Sequence, residues 1–293
     1  SSPLEHSLLL QRYGSPLRLS QSTQGGIENA TASGWFTTAM PARYGDLVFL
    51  NLGQHVIAFD ALTGLQRWEH VHRVQDITLD PSQRPSGAND IEAEGRSIVT
   101  ATGIDYGDER AGDGAILCLD APTGHLRWSV VLDNHPDIES SAGMFPCSAP
   151  VVHEGIVYVL ARMITPQRLH SESLIAIELA SGRVLWSRWI ASSARTRNHT
   201  ARPVVRPEPI DDSIVVRSGS GAIAGLDAST GDLRWLHRLD TPLDGTKNLR
   251  ARPYTAPRSI RTTDGVLVVA PNDAILFHLD PHSGAILDQH LLN

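Results

Sequence analysis

Five segments of the sequence align without gaps, and this repeat constrains the fold more than any other feature. They are VIAFDALTGLQRW (56–68), ILCLDAPTGHLRW (116–128), LIAIELASGRVLW (174–186), IAGLDASTGDLRW (223–235) and a degenerate copy whose core runs from Leu276 to Asp288. The shared skeleton is an acid, three residues, Gly, three residues, Trp. The acids Asp60, Asp120, Glu178, Asp227 and Asp280 follow one another at intervals of 60, 58, 49 and 53 residues. Such a period overrides the one-or-two-domain expectation that 293 residues would otherwise carry. It matches one four-stranded propeller blade per unit.

Each unit also has local β character. An apolar alternating run leads to a Leu-Thr-Gly, Pro-Thr-Gly or Ser-Thr-Gly turn signal, and a second alternating run ends in Trp. Gly64, Gly124, Gly182, Gly231 and Gly284 stand where a turn needs positive φ. A second hairpin precedes each of these, seen best in SAPVVHEGIVYVLA (148–161), with Glu154-Gly155 as its turn, and in TTDGVLVVA (262–270), with Asp264-Gly265. Two hairpins make four strands, so the sequence predicts an all-β propeller of four-stranded antiparallel blades over residues 34–293. The blades run about 34–70, 91–132, 147–190, 201–239 and 251–293, after an N-terminal arm or edge strand over 1–33. A helical fold is excluded because apolar residues alternate at period two and turn residues recur too often.

The formal net charge is −7, with 41% hydrophobic residues and no window apolar enough for a membrane span. An excess of acids over bases disfavours a broad grip on a phosphate backbone, so nucleic acid is not the expected partner. Cys118 and Cys147 sit in no CxxC pair, which argues against a zinc knuckle or a disulfide framework. No basic-then-apolar leader stands at Ser1.

The string Ala58, Asp60, Thr63, Gly64, Trp68 resembles the tryptophan-docking motif of the quinoprotein (PQQ-like) β-propellers. That family includes PQQ-dependent alcohol dehydrogenases and non-catalytic scaffold propellers of the BamB type, and this chain is closer in character to the scaffolds. The resemblance covers about residues 34–293. It implies that Trp68, Trp128, Trp186 and Trp235 are wedges, each packing between the small residue of one motif and the Gly peptide of another. Loss of the ring at Trp128 or Trp186 is then expected to cost roughly 3 to 5 kcal/mol. Cys118 and Gly225 are tolerable in place of the motif's Ala, whereas His278 is larger and Asp288 replaces the Trp, so the fifth blade should have an unusual seam. Family propellers usually carry seven or eight blades. Either the five blades close as a compact ring, or another chain or flanking region completes a larger one; the motif's seam suits the larger.

A PQQ dehydrogenase would need a quinone in the central funnel, a calcium ion and an Asp general base. The resemblance implies a vicinal Cys-Cys disulfide beside that cofactor and a Trp floor beneath it. No Cys-Cys pair exists here, and of six Trp only Trp35 and Trp189 are not wedges. No catalytic, cofactor-binding or metal residue is therefore assigned, and PQQ with calcium stands as the alternative. The acidic stretch GIDYGDERAGDG (103–114), with Asp105, Asp108, Glu109 and Asp113, lacks EF-hand spacing. The pairs His70/His72 and His278/His282 lack a third ligand. Gly219-Ser220-Gly221 lacks the nucleophile-elbow pattern of a hydrolase.

The stretches RTRNHTARPVV (195–205) and KNLRARPYTAP (247–257) both precede an innermost strand. Arg195, Arg197, Arg202, Arg250 and Arg252 could thus form a cationic rim at the central channel, an anion or partner site on an acidic molecule. The alternative is that each Arg pairs with a neighbouring blade's carboxylate. The expected function is a scaffold that binds a protein or peptide partner through loops, blade edges and the channel rim, with insertions at 71–90, 103–114 and 162–172 as contact points. The alternative is a PQQ-dependent dehydrogenase or small-ligand sensor using the funnel. The resemblance implies the periplasm or cell envelope.

Overall fold

A computed structural model of the chain describes residues 41–51, 55–72, 84–85, 90–102, 104–105, 114–167, 169–194, 206–219, 221–238, 259–269 and 275–291. Blade 1 consists of β1 (Ala42–Tyr44), β2 (Leu47–Asn51), β3 (His55–Asp60) and β4 (Gln66–Val71). A short ribbon pairs β5 (Arg84–Pro85) with β8 (Ile104–Asp105). Blade 2 is built from β6 (Ile91–Glu94), β7 (Ser97–Thr102), β9 (Ala115–Asp120) and β10 (Leu126–Val131). Blade 3 contains β11 (Phe145–Pro146), β12 (Val151–His153), β13 (Ile156–Ile164), β14 (Leu169–Glu178) and β15 (Val184–Ala194). Blade 4 is β16 (Glu208–Ile210), β17 (Ser213–Arg217), β18 (Ala222–Asp227) and β19 (Leu233–Arg238). Blade 5 is β20 (Ile260–Arg261), β21 (Val266–Val269), β22 (Ile275–Leu279) and β23 (Ile286–Leu291). All pairings within the blades are antiparallel, and outside blade 3 they join strands that follow one another within the blade.

Blade 3 departs from the four-strand plan. Its innermost strand is split into β11 and β12, both of which pair with β13. The break falls at Pro146-Cys147-Ser148-Ala149-Pro150, where two prolines remove ladder donors. Ser148 Oγ repairs part of the gap by accepting the Leu160 N–H at 2.9 Å. The stretch 162–172, expected to be an insertion, is largely strand. It lengthens β13 and β14 to 9 and 10 residues and is followed by an 11-residue β15.

The middle strands lie between neighbouring blades on both faces, and so β7 and β9 are buried at every residue. Four apolar clusters result, one per pair of successive blades. Phe49, Val56 and Ala58 meet Ile98 and Leu119. Val99, Ile116 and Trp128 meet Val157, Val159 and Ile175. Tyr158, Leu160 and Leu174 meet Ile214, Val216 and Leu226. Val215, Ile223 and Trp235 meet Val266, Val268 and Phe277. Each fully buried Val, Leu or Ile side chain contributes about 1.5–3 kcal/mol. By contrast β23 is exposed at all its residues. Among the described residues no strand pairs with its outer edge.

Candidate functional site

The seams between blades rest on one turn repeated five times. The carbonyl of the motif acid accepts the N–H of the Gly four residues on, at 2.8 Å for Asp60–Gly64 and 2.7 Å for Asp120–Gly124, with the same bond in the other three blades. These glycines have φ between 68 and 77°, a region that L side chains avoid. The acid's own carboxylate accepts the donors of its turn: Asp60 takes the N–H of Thr63 at 2.9 Å, and Asp280 that of Ser283 at 2.7 Å. These bonds hold the carboxyls of Asp60, Asp280 and, through the Ser181 hydroxyl, Glu178 below their ordinary values.

The strand after the turn then carries a bulge in every blade. Ala58 faces Trp68 while Phe59 faces Gln66, which leaves Arg67 as the extra residue. The same shift makes Arg127, Leu185, Arg234 and Leu287 extra in the other blades. A bulge turns its residue out of the ladder. Arg127 and Arg234 thereby reach the acid of their own blade, Asp120 at 2.9 Å and Asp227 at 2.7 Å. Hydrogen bonds from Thr123 and Arg96, with Arg127, hold the Asp120 carboxyl far below the usual range. Ser229 and Arg234 do the same for Asp227. The Arg-Trp pair in three of the repeats, Arg67-Trp68, Arg127-Trp128 and Arg234-Trp235, is the sequence signal of this arrangement.

The bulge also aims each Trp at the following blade. The place a Cβ would take on Gly124 lies 2.5 Å from the Trp68 ring, and the corresponding separations are 2.8 Å for Gly182 and Trp128, 2.6 Å for Gly231 and Trp186, and 2.5 Å for Gly284 and Trp235. Only glycine allows this approach. Three of the four indole N–H groups then donate to the carbonyl of the residue after the next acid. Trp68 donates to Ala121 at 3.0 Å, Trp128 to Leu179 at 2.8 Å and Trp235 to Pro281 at 2.8 Å. In blade 5, Asp288 pairs across the ladder with His278, whose ring instead reaches Thr262 at 3.1 Å.

Outside the seams, the lengthened strands of blade 3 hold two polar groups. Arg162 donates to Glu172 at 2.7 and 3.1 Å, and the other carboxylate oxygen of Glu172 accepts the Ser218 hydroxyl of blade 4 at 2.6 Å. All three side chains are buried. Nearby on β15, Trp189 is 60% exposed. Its ring N–H donates to the hydroxyls of Ser171 and Ser192, both at 3.1 Å, and those hydroxyls lie 3.1 Å from each other.

Arg195, Arg197, Arg202, Arg250 and Arg252 lie outside the described residues, as do Trp35, Asp108, Glu109 and Asp113. The neighbouring Arg206 is described and reaches Glu92, on the innermost strand of blade 2, at 2.6 Å. His278 and His282 turn to different partners, the latter to Asp212 at 3.3 Å. Burial lowers the pKa of both His70 and His72. Cys118 and Cys147 are buried and form no disulfide, and burial raises the Cys118 thiol. Four tryptophans press on glycines between blades, Trp189 stands on an outer strand, and no three described His, Cys, Asp or Glu side chains are grouped to hold a metal.

The chain is 26% identical over 158 residues to outer membrane protein assembly factor BamB of Yersinia pestis, covering 54% of this chain and 35% of that protein. It is 25% identical over 152 residues to quinohemoprotein alcohol dehydrogenase ADH IIB of Pseudomonas putida, covering 51% of this chain and 18% of the relative. The matched parts are thus well under half of either relative. Among solved structures, BamB from Moraxella catarrhalis superposes with a TM-score of 0.52 at 18% identity, covering 87% of this chain and 61% of that one. Quinohemoprotein alcohol dehydrogenase from Comamonas testosteroni gives 0.58 at 15% identity, covering 87% and 43%. These likenesses share the propeller fold. The sequence pattern of the family described as outer membrane protein assembly factor BamB matches residues 93–253, from the second blade to the approach to the fifth, and the chain belongs to that family of PQQ-like β-propellers.

Proposed function

We propose that the chain is a non-catalytic propeller scaffold of the cell envelope or periplasm, which binds a protein or peptide partner through its loops, blade edges and channel rim. Membership of the BamB family supports this reading. The observation that carries it to a surface is Trp189. An exposed indole is costly to leave in water, and this one stands on the longest outer strand among the described residues, its N–H held by the hydroxyls of Ser171 on β14 and Ser192 on β15. Tryptophans fixed in this way serve as interface anchors, because little rotamer freedom remains to be lost on binding.

The experiment compares the wild-type chain with Trp189→Ala as immobilised baits for envelope proteins of the source cell. A partner retained by the wild type and lost by the variant, at unchanged melting temperature, is the expected result. Identical retention by both would remove Trp189 from the interface.

The similarity to quinohemoprotein dehydrogenases supports a second reading, a PQQ-dependent enzyme or a small-ligand sensor. Titrating the chain with PQQ and calcium tests it directly. A quinone absorbance change that saturates at one equivalent would favour that reading over the scaffold.

A further inference from the structure

The outer edge of β23 invites a different occupant. Blades 1 to 4 each send a Trp from the outer strand into the next blade, but in blade 5 that position is Asp288. Every residue of β23 is exposed, with Leu287 at 48% and Leu291 at 77%. Sheet edges are usually protected by lysine, proline or a covering segment, since their free N–H and C=O groups pair readily with another strand. The strand ILDQHL contains neither lysine nor proline. Its only ionisable groups are Asp288 and His290, two residues apart on one face, with His290 Nε2 3.1 Å from the Asp288 carboxylate.

This short sequence is complementary to itself. Antiparallel pairing of two copies about a two-fold axis at Gln289 sets Asp288 of each strand opposite His290 of the other. Each imidazole then meets a carboxylate of the other strand, and residues directly across an antiparallel ladder share a face. The next step outward brings Leu291 beside the bulged Leu287 of the second copy, covering two exposed side chains at each end. Gln289 meets its own copy on the axis, where paired amides can each donate and accept. We propose that the β23 edge is a homodimer interface, with a second copy of this chain as its occupant, joined as a continuous antiparallel sheet across the two molecules. Such an isologous contact closes on itself and does not propagate into fibres. The pairing does not depend on whether the propeller binds other proteins.

Sedimentation of the purified chain over a range of concentrations measures the association, and variants assign it. His290→Asp places like charges opposite each other at both positions and should weaken the dimer by about tenfold or more. The double variant Asp288→His with His290→Asp restores the complementarity in reversed order and should restore the dimer. Gln289→Cys should give a covalent dimer on mild oxidation, since Cα atoms directly opposite in an antiparallel ladder lie within disulfide range. The native cysteines are both buried and give the unmodified chain as a control. A wild-type chain that stays monomeric at every concentration overturns the proposal. So does a dimer that His290→Asp leaves intact, or one in which Gln289→Cys forms no crosslink. All of these positions are exposed, and an unchanged melting temperature confirms that each variant is folded.

Discussion

Tyr158 donates its hydroxyl to the Ala228 carbonyl at 2.9 Å, across the seam from blade 3 to blade 4. That carbonyl follows the acid of blade 4, and the carbonyls at the same position accept an indole N–H in the other three seams. Trp186 lies against Gly231 as its counterparts do, but its N–H is shielded and has no hydrogen-bond partner. Its ring centroid is 5.9 Å from that of Tyr158. The phenol has taken the acceptor of the indole, and burial raises the Tyr158 pKa accordingly.

Removing the phenol oxygen should therefore return the acceptor to Trp186. Deleting one partner of a buried hydrogen bond ordinarily costs about 1–3 kcal/mol, because the other is left unsatisfied. Here a replacement donor is adjacent, so Tyr158→Phe should cost about 1 kcal/mol or less. Urea denaturation measures the difference, and a double-mutant cycle with Trp186→Phe should show coupling between the two positions. A full penalty with no coupling would show that the indole cannot reach the carbonyl.

Gly225 yields a prediction against the repeat's own consensus. The other wedge positions hold Ala58, Cys118 and Ala176 opposite Trp, so alanine looks harmless at Gly225 on sequence grounds. In the structure a Cβ there would lie 2.2 Å from the Trp235 ring. The indole has moved into the room that the missing side chain leaves, and Trp235 is nearly buried in that position. Gly225→Ala should thus destabilise by about 1–3 kcal/mol through overpacking. The Trp235 emission should shift to the red as the ring is displaced. A gain in stability from the consensus residue would show that the ring can retreat without loss.

What could be read from the sequence, and what could not, divides along the same line. The acid, the Gly and the Trp of each repeat announced themselves because each is fixed by local backbone geometry, a turn with positive φ or a bulge beside it. Their spacing foretold the five sheets. Tyr158 and Ala228 are 70 residues apart, and no local signal tells which donor wins a shared carbonyl. The stretch RMITPQRLHSE (162–172) looked like a surface insertion for a physical reason. Its Pro, Arg and Glu residues are loop-like in composition, whereas in the fold Arg162 and Glu172 neutralise each other inside a seam. Trp189 is visible in the sequence as a Trp outside the repeat motif, but its two serine partners come together only on the folded sheet.

That buried pair is itself a test of how the lengthened strands are held. Arg162 and Glu172 are 3% and 1% exposed. Glu172→Ala removes the buried carboxylate to which both the Arg162 guanidinium and the Ser218 hydroxyl donate, and should cost about 3–5 kcal/mol. Replacing both members, as Arg162→Met with Glu172→Leu, should recover most of that loss, since an apolar pair avoids the desolvation of two charges. Denaturant midpoints of the three variants and the wild type measure the cycle. If the double replacement is as damaging as the single one, the pair contributes more than mutual neutralisation.

The turn carboxylates predict how the fold responds to acid. Hydrogen bonds from Arg234 lower the Asp212 carboxyl from 3.8 to about 2, and the Asp60, Asp120, Glu178, Asp227 and Asp280 carboxyls are lowered in the same direction. The unfolded chain then binds protons at a higher pH than the native one, so stability falls with falling pH. For Asp212 the contribution is complete above the ordinary value of 3.8 and is lost as the pH drops toward about 2. The melting temperature should accordingly decline below about pH 4, with these carboxyls adding little change between pH 5 and 8. Arg234→Leu places in blade 4 the residue that blade 3 carries at the same bulge. It removes the guanidinium shared by Asp212 and Asp227, and should lower the melting temperature at pH 6 while flattening the decline below pH 4. An acid profile parallel to that of the wild type would show that Arg234 does not set the proton affinity of these turns.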